Sequence, residues 1–242
     1  MTPSPTRPFS LRQQLTAWAV HAFTLSGFLW AVLATLAMIQ GQYKAMWGWL
    51  TVALIVDGID GTFARKACVK EVIPWFDGAT VDIVVDYLTG TFIPAMFMHL
   101  ALPMGPGWLG ITMTVTVLVS SMFCYANTGW KSEDYYFVGF PAAWNIVAVC
   151  LWVLATSAWA NVAIVIILAI LSLIPTHYVH PIRVKRLRTL NLISVGLWIA
   201  ATAVMVTAHP ARPTWALAVF LISGGWFLFV GMRRTAVGIE TD

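Results

Sequence analysis

Charge is scarce in this chain: Asp, Glu, Lys and Arg make up 10% of its 242 residues. Soluble domains carry about a quarter, so a soluble globular fold is excluded. Residues 13–43, 87–130, 135–182, 189–211 and 213–232 contain no charged side chain at all. Cysteine is nearly as rare. Cys68, Cys124 and Cys150 show no CxxC spacing, and an odd number argues against a disulfide framework; they read as small buried hydrophobes. No signal-peptide cleavage pattern follows the first apolar run, which is therefore expected to be a retained span. Internal repeats and low-complexity tracts are also lacking.

What is present is apolar: 60% hydrophobic residues and a mean hydropathy of +0.80. A helix needs about 20 apolar residues to cross a bilayer, so 87–130 and 135–182 each accommodate a two-helix hairpin. Pro103, Gly105, Pro106 and Gly107 punctuate the first, and the Ser157–Asn161 region turns the second. With a helix over roughly 44–66, the expectation is an all-α, polytopic protein of about eight transmembrane helices, one membrane domain over 1–242. Residues 1–14 form its tail and interfacial lead-in.

The cations orient it. With the N-terminus inside, inner segments hold Arg7, Arg12, Arg65, Lys66, Lys70, Lys131, Arg183, Lys185, Arg186, Arg188, Arg233 and Arg234, and outer ones hold Lys44 and Arg212. By the positive-inside rule both termini are cytoplasmic. The formal net charge of +4 then reflects topology and anionic lipid rather than nucleic-acid binding.

Against this background Asp57 to Asp86, DGIDGTFARKACVKEVIPWFDGATVDIVVD, is exceptional. On one helix, Asp57, Asp60, Gly61 and Ala64 fall at i, i+3, i+4 and i+7. On a second, Gly78, Asp82 and Asp86 fall at i, i+4 and i+8 along one face. A single Asp at a helix end is most often a cap, and Asp77, just before Gly78, is read as one. Four at helical spacing beside small residues read instead as a site, because ionisable groups at a membrane boundary are expensive and usually functional. Two such faces opposed would form a four-carboxylate cage suited to Mg²⁺ or Mn²⁺. The 67–76 linker is expected to close one wall.

Asp57-x2-Asp60-Gly61-x2-Ala64-Arg65, followed by Gly78-x3-Asp82-x3-Asp86, resembles the signature of the CDP-alcohol phosphotransferases. The stretch between Arg65 and Gly78 is longer than that family usually has, and Gly58 adds a second DG. Both features resemble the bacterial branch that joins choline directly to CDP-diacylglycerol. The resemblance implies a CDP-alcohol phosphotransferase-like helix bundle that transfers a phosphatidyl group to choline and releases CMP. It also implies two Mn²⁺ or Mg²⁺ ions held jointly by Asp57, Asp60, Asp82 and Asp86, with Asp86 as the base. CDP-diacylglycerol would meet Asp57, Gly61, Ala64, Arg65, Gly78 and Asp82, with Arg65 on its phosphates. The positive-inside rule already puts the site on the cytoplasmic side; a homodimer in a bacterial inner membrane follows from the resemblance alone.

Two further stretches belong to this expectation. Residues 123–145 combine aromatic and charged side chains, and Phe137–Asn145 (FVGFPAAWN) resembles the same branch. A quaternary ammonium is recognised by aromatic faces, so Tyr125, Lys131, Asp134, Tyr135, Trp144 and Asn145, with Tyr178, are candidate choline residues; an interfacial aromatic belt explains them equally simply. Within 175–190, Arg183, Lys185 and Arg186 are candidates for phosphate or lipid headgroups. His177 and His180 are read as interfacial hydrogen-bonding residues; His21, His99 and His209 are assigned no role. The competing readings are another acceptor (serine, glycerol phosphate or inositol), the reverse pairing of CDP-choline with diacylglycerol, and a cation transporter.

Overall fold

A computed structural model describes residues 9–127, 129–130, 132, 134–180, 183–185 and 187–238. The contacts divide the chain into two compact units, Met1–Thr89 and Gly90–Asp242.

The first unit is built on α1 (Leu11–Ile39). Ser10 and Gln13 cap it reciprocally: the Ser10 hydroxyl accepts from the Gln13 N–H at 3.3 Å, and Gln13 Oε1 accepts from the Ser10 N–H at 2.9 Å. A turn at residues 40–42 follows, with Gly41 at φ +70°, and leads into α2 (Tyr43–Lys66). Cys68, left-handed at φ 49°, redirects the chain into one short turn, α3 (Val69–Val72). The fourth helix, α4 (Gly78–Asp86), is capped by Asp77, whose carboxylate accepts from the Ala79 N–H at 3.0 Å and the Thr80 hydroxyl at 2.7 Å.

The first helix packs against α2, α3 and α4. Its approach to α4 is close: a Cβ on Gly27 would lie 2.4 Å from Val85 Cγ1, so only glycine permits this packing. Ala17, Val20, Val69 and Ile73 form a small core, joined by Ala64 and Phe76.

Past Asp86 the helix widens to a π-turn over Tyr87–Phe92 before α5 (Ile93–Ala101). Pro94 is the physical reason: it has no N–H to donate and its ring clashes with the carbonyl four residues back.

The second unit comprises α5, α6 (Gly107–Ala126), β1 (Phe137–Val138), α7 (Trp144–Leu154), α8 (Ala158–Leu171), β2 (His177–Tyr178), α9 (Arg188–Ala208) and α10 (Thr214–Val237). Asn161 Nδ2 donates to the Pro103 carbonyl at 2.9 Å, and Trp226 Nε1 donates to Asn191 Oδ1 at 2.9 Å. Each bond satisfies a polar group inside an apolar bundle. The two short strands pair antiparallel, Phe137 opposite Tyr178 and Val138 opposite His177. They escaped the sequence reading because two-residue strands carry no periodicity.

The protein is thus an all-α integral membrane protein apart, among the described residues, from one two-stranded ladder. All eight helical segments read from the sequence are present. Among the described residues, five helices rather than eight are long and apolar enough to cross a membrane: Leu11–Ile39, Gly78–Ala101, Gly107–Ala126, Arg188–Ala208 and Thr214–Val237. At 11 and 14 residues, α7 and α8 rise only about 17 and 21 Å, short of a ~30 Å hydrocarbon core. The second helix is long enough but carries Lys44, Asp57, Asp60, Arg65 and Lys66.

Candidate active site

In the first unit α2 and α4 bring three of the four expected aspartates together. Asp57, Asp82 and Asp86 each direct a carboxylate oxygen to within 4.8 Å of the others, and Asp57 and Asp86 lie within hydrogen-bonding reach. At an effective dielectric of ~20, two unit charges at that separation repel by about 3 kcal/mol. The arrangement therefore favours a cation that offsets the repulsion, and an all-oxygen donor set suits a hard divalent ion. Asp60 is outside this trio. It is 6% exposed, sits one helical turn from Asp57, and lines the adjoining cavity.

That cavity encloses about 620 Å³. Asp60, Gly61, Ala64 and Arg65 come from α2, Asp77, Gly78, Ala79 and Asp82 from the start of α4, and Cys68, Val69, Lys70, Glu71, Ile73, Pro74 and Phe76 from the linker. The linker forms a wall, as expected. Arg65 lines the cavity while donating from Nη2 to Thr62 Oγ1 at 3.2 Å. A Cβ on Gly61 would meet only Arg65 Nη1, at 3.4 Å, so this glycine leaves open space. Gly78 does not. A Cβ there would lie 2.8 Å from His21 Cε1, so its missing side chain makes room for a ring on α1.

His21 is a residue the sequence reading passed over. It lines the same cavity through Val20, His21 and Thr24, the α1 contribution, and no motif marks it. Outside the helix, Asp77 is held below the usual carboxylate range by the Thr80 hydroxyl and the Ala79 N–H, as its capping role requires.

In the second unit the ladder draws the other two stretches together. A cavity of about 350 Å³ is lined by Cys124, Asn127, Trp130, Tyr135, Tyr136, Phe137, His180 and Arg183, among others. Phe137 stacks on the His180 ring at 5.3 Å between centroids. Of the candidate choline residues, Tyr135 lines this cavity at φ 64°. Tyr178 stands opposite Phe137 across the ladder, and Tyr125 lies at the end of α6, its hydroxyl oxygen 3.8 Å from where a Gly90 Cβ would be. Trp144 is fully buried (0% exposed) at the start of α7, with Phe140 packed on it at 5.2 Å. Asn145 lies in the first turn of α7, its side-chain oxygen accepting from the Ile146 N–H at 2.8 Å. Lys131 and Arg186 lie outside the described residues; Lys185 is exposed.

Asp134 is already engaged. Arg234 Nε donates to Asp134 Oδ2 at 2.6 Å, the Ser132 hydroxyl also donates to that carboxylate, and the guanidinium lies 5.7 Å from the Tyr136 ring centre. Burial alone would raise the Asp134 carboxyl, but these donors and the Arg234 charge outweigh it and hold it below the ordinary range. Burial and the neighbouring Arg234 charge lower His177, and burial and Arg183 lower His180, which disfavours the charged form of each ring. His180 Nδ1 accepts from the Arg183 N–H at 3.3 Å, and the His177 N–H donates to Thr235 Oγ1 at 2.8 Å. Arg234 is the second residue sequence reasoning missed: it lies 100 positions from Asp134, and only its contribution to net topology was legible.

No family model matches the chain, but curated proteins do. It is 42% identical over 220 residues to the phosphatidylcholine synthase of Pseudomonas aeruginosa, covering 91% of this chain and 92% of that one. It is 38% identical over 218 residues to that of Rhizobium johnstonii, covering 90% of each. It is 34% identical over 178 residues to that of Borreliella burgdorferi, covering 74% and 76%. Identity of this extent, spanning both units, sets the transporter reading aside: the chain belongs to the phosphatidylcholine synthases and is a membrane-embedded phosphatidyltransferase.

Proposed function

We propose that the protein condenses CDP-diacylglycerol with choline to give phosphatidylcholine and CMP, in a divalent-metal-dependent reaction at Asp57, Asp60, Asp82 and Asp86. The observation that carries this reading is the convergence of Asp57, Asp82 and Asp86 within 4.8 Å beside a cavity of about 620 Å³ that Arg65 also lines. The donor set fits one or two Mn²⁺ or Mg²⁺ ions, and Asp60 completes the cage. The metal, when bound, would supply charge neutralisation at the pyrophosphate.

The residues do the rest. Arg65 contacts the phosphates, where its planar fork matches phosphate oxygens. Gly61 and Ala64 leave room for the cytidine diphosphate against α2. Asp86 accepts the hydroxyl proton of choline. The choline oxygen then forms a bond to the phosphorus that bears diacylglycerol, the bond from that phosphorus to the CMP oxygen breaks, and CMP leaves. The acyl chains remain in the bilayer.

The aromatic segment of the second unit supplies the chemistry a quaternary ammonium needs. We assign choline recognition to the faces of Tyr125, Tyr135 and Tyr178, with Trp144, Asn145 and Asp134 as their supporting frame and Lys131 as a further choline-binding candidate; the Asp134–Arg234 pair makes Asp134 a brace rather than a counter-ion. Arg183, Lys185 and Arg186 are assigned to phosphate or lipid headgroups. We further propose a single membrane domain of eight helices, its catalytic part at 44–101. Both termini and the site face the cytoplasm of a bacterial inner membrane, and the protein is a homodimer.

The test is CMP release by purified protein with CDP-diacylglycerol and Mn²⁺, offering choline, serine, glycerol 3-phosphate or inositol. Turnover with choline alone is expected, abolished by EDTA and restored by Mn²⁺ or Mg²⁺. Turnover with a different alcohol would keep the carboxylate site and discard the choline assignment. Turnover undiminished by exhaustive chelation would discard the metal.

A further inference from the structure

The most deeply buried polar ring in the first unit is His21. It is 4% exposed, and its Nε2 is buried with no hydrogen-bond partner among the described residues. An unpaired buried nitrogen is costly, and native proteins pair such groups with protein, water or ligand. The ring is held on three sides. Phe76 packs against it at 4.5 Å and Trp18 at 5.6 Å, both edge-to-face. Gly78 closes the third side, since a Cβ there would come within 2.8 Å of Cε1 and 3.1 Å of Nδ1. The motif glycine thus serves an imidazole from α1, and that imidazole stands in the wall of the cavity shared with Asp60, Arg65 and Asp82.

We propose that His21 is a substrate-binding residue whose Nε2–H donates to an oxygen of the nucleotide carried by the activated lipid. The inference rests on the reading that this cavity receives CDP-diacylglycerol. Phosphate oxygens and the cytosine carbonyl are both acceptors of the required kind. The aromatic clamp fixes the donor before the ligand arrives, so little ordering entropy is lost on binding. His21 touches no proton in transfer. Its effect falls on nucleotide affinity, hence on KM for the CDP-lipid, and not on kcat.

Three substitutions separate this role from packing. His21→Phe keeps a flat ring and removes both nitrogens, His21→Gln places an amide N–H near the Nε2 position, and His21→Asn places it near Nδ1. CMP and cytidine binding with Mn²⁺ would be measured by calorimetry on detergent-purified protein, and KM values by incorporation of labelled choline into lipid. His21→Phe and His21→Asn are expected to weaken CMP binding and raise KM for CDP-diacylglycerol about tenfold, the scale of one hydrogen bond to a charged acceptor. His21→Gln should recover most of that loss, and KM for choline should move less than twofold throughout. Weakened CMP binding with unchanged cytidine binding locates the acceptor on the phosphate; parallel losses locate it on the base. If His21→Phe does not fold, the contrast between His21→Gln and His21→Asn still decides. Equal CMP affinity in wild type and variants overturns the proposal, and so does an equal loss in all three variants. Wild-type protein that binds no CMP and makes no lipid from CDP-diacylglycerol overturns the underlying reading together with it.

Discussion

The acidic motif of the first unit and the aromatic loop of the second are both functional candidates, but different forces build them. Asp57 and Asp60 share one helix and Asp82 and Asp86 another, so helical periodicity alone sets which of them share a face. In the second unit, Asp134 finds Arg234, Phe137 finds Tyr178, and His177 meets the Thr235 hydroxyl across long sequence separations. Such contacts depend on packing and carry no period. A site on helices is written in spacing, whereas a site on loops is written only in the fold.

The sharpest way to break this comparison is to disable each side in turn. Asp86→Asn preserves shape and removes the carboxylate proposed as the base; it is expected to lower turnover with choline by 10²–10⁴, the usual contribution of a general base. Tyr135→Ala should instead raise KM for choline by about tenfold, one cation–π contact at a partly desolvated site being worth roughly 1–2 kcal/mol. CMP-release kinetics read both. Asp86→Asn with near-normal kcat would remove the base assignment; Tyr135→Ala with unchanged choline KM would remove the pocket.

The motif was legible because Gly78, Asp82 and Asp86 needed nothing beyond i, i+4, i+8 to be placed on one face. The spacing could not say that Asp60 would turn to the cavity while Asp57, Asp82 and Asp86 closed into a trio, since that depends on how α2 and α4 meet. Nor could it show that Gly78 accommodates His21. His21 and Gly78 lie on different helices, and a lone histidine in an apolar helix carries no pattern of its own.

Two glycines test the packing on each side. Gly27→Ala drives a methyl to within 2.4 Å of Val85 Cγ1, next in sequence to Asp86. Gly231→Ala drives one to within 2.6 Å of the His177 carbonyl oxygen, where α10 supports the ladder. Overpacking of this kind costs about 1–3 kcal/mol. Both variants should melt earlier in detergent. Val85→Ala should restore part of the loss in Gly27→Ala, because a side chain gives way; no side-chain deletion should rescue Gly231→Ala, because backbone does not. Unchanged melting in either variant would contradict the close approach it tests.

A smaller effect is expected from the Asp134–Arg234 pair. Removing one partner of a fully buried pair costs about 3–5 kcal/mol, but here the side chains keep 28% and 11% exposure, so Arg234→Ala should cost about 1–2 kcal/mol. If it also raises KM for choline, Asp134 and its loop position the acceptor; if only stability falls, the pair is a brace alone.

The smallest effect is pH-dependent. The folded Asp134 carboxyl titrates below the ordinary range, so its contribution is fully present above about pH 4 and is lost as pH falls through the lower, folded value. Wild type should therefore lose more stability than Asp134→Asn between pH 5 and the acid limit, measured as melting temperature against pH. Parallel curves would show that the pair adds nothing.

The sequence by itself determined that this is a membrane protein, where its helices run, and which aspartates share a helical face. Scarcity of charge and a 3.6-residue period are properties of the chain, and a bilayer leaves few alternatives for satisfying the backbone. Only the tertiary structure decided that Asp57, Asp82 and Asp86 converge, that His21 fills the space Gly78 leaves, and that Asp134 is taken by Arg234. Each of these is a contact between elements distant in sequence, fixed by how side chains interdigitate rather than by any order in which they occur.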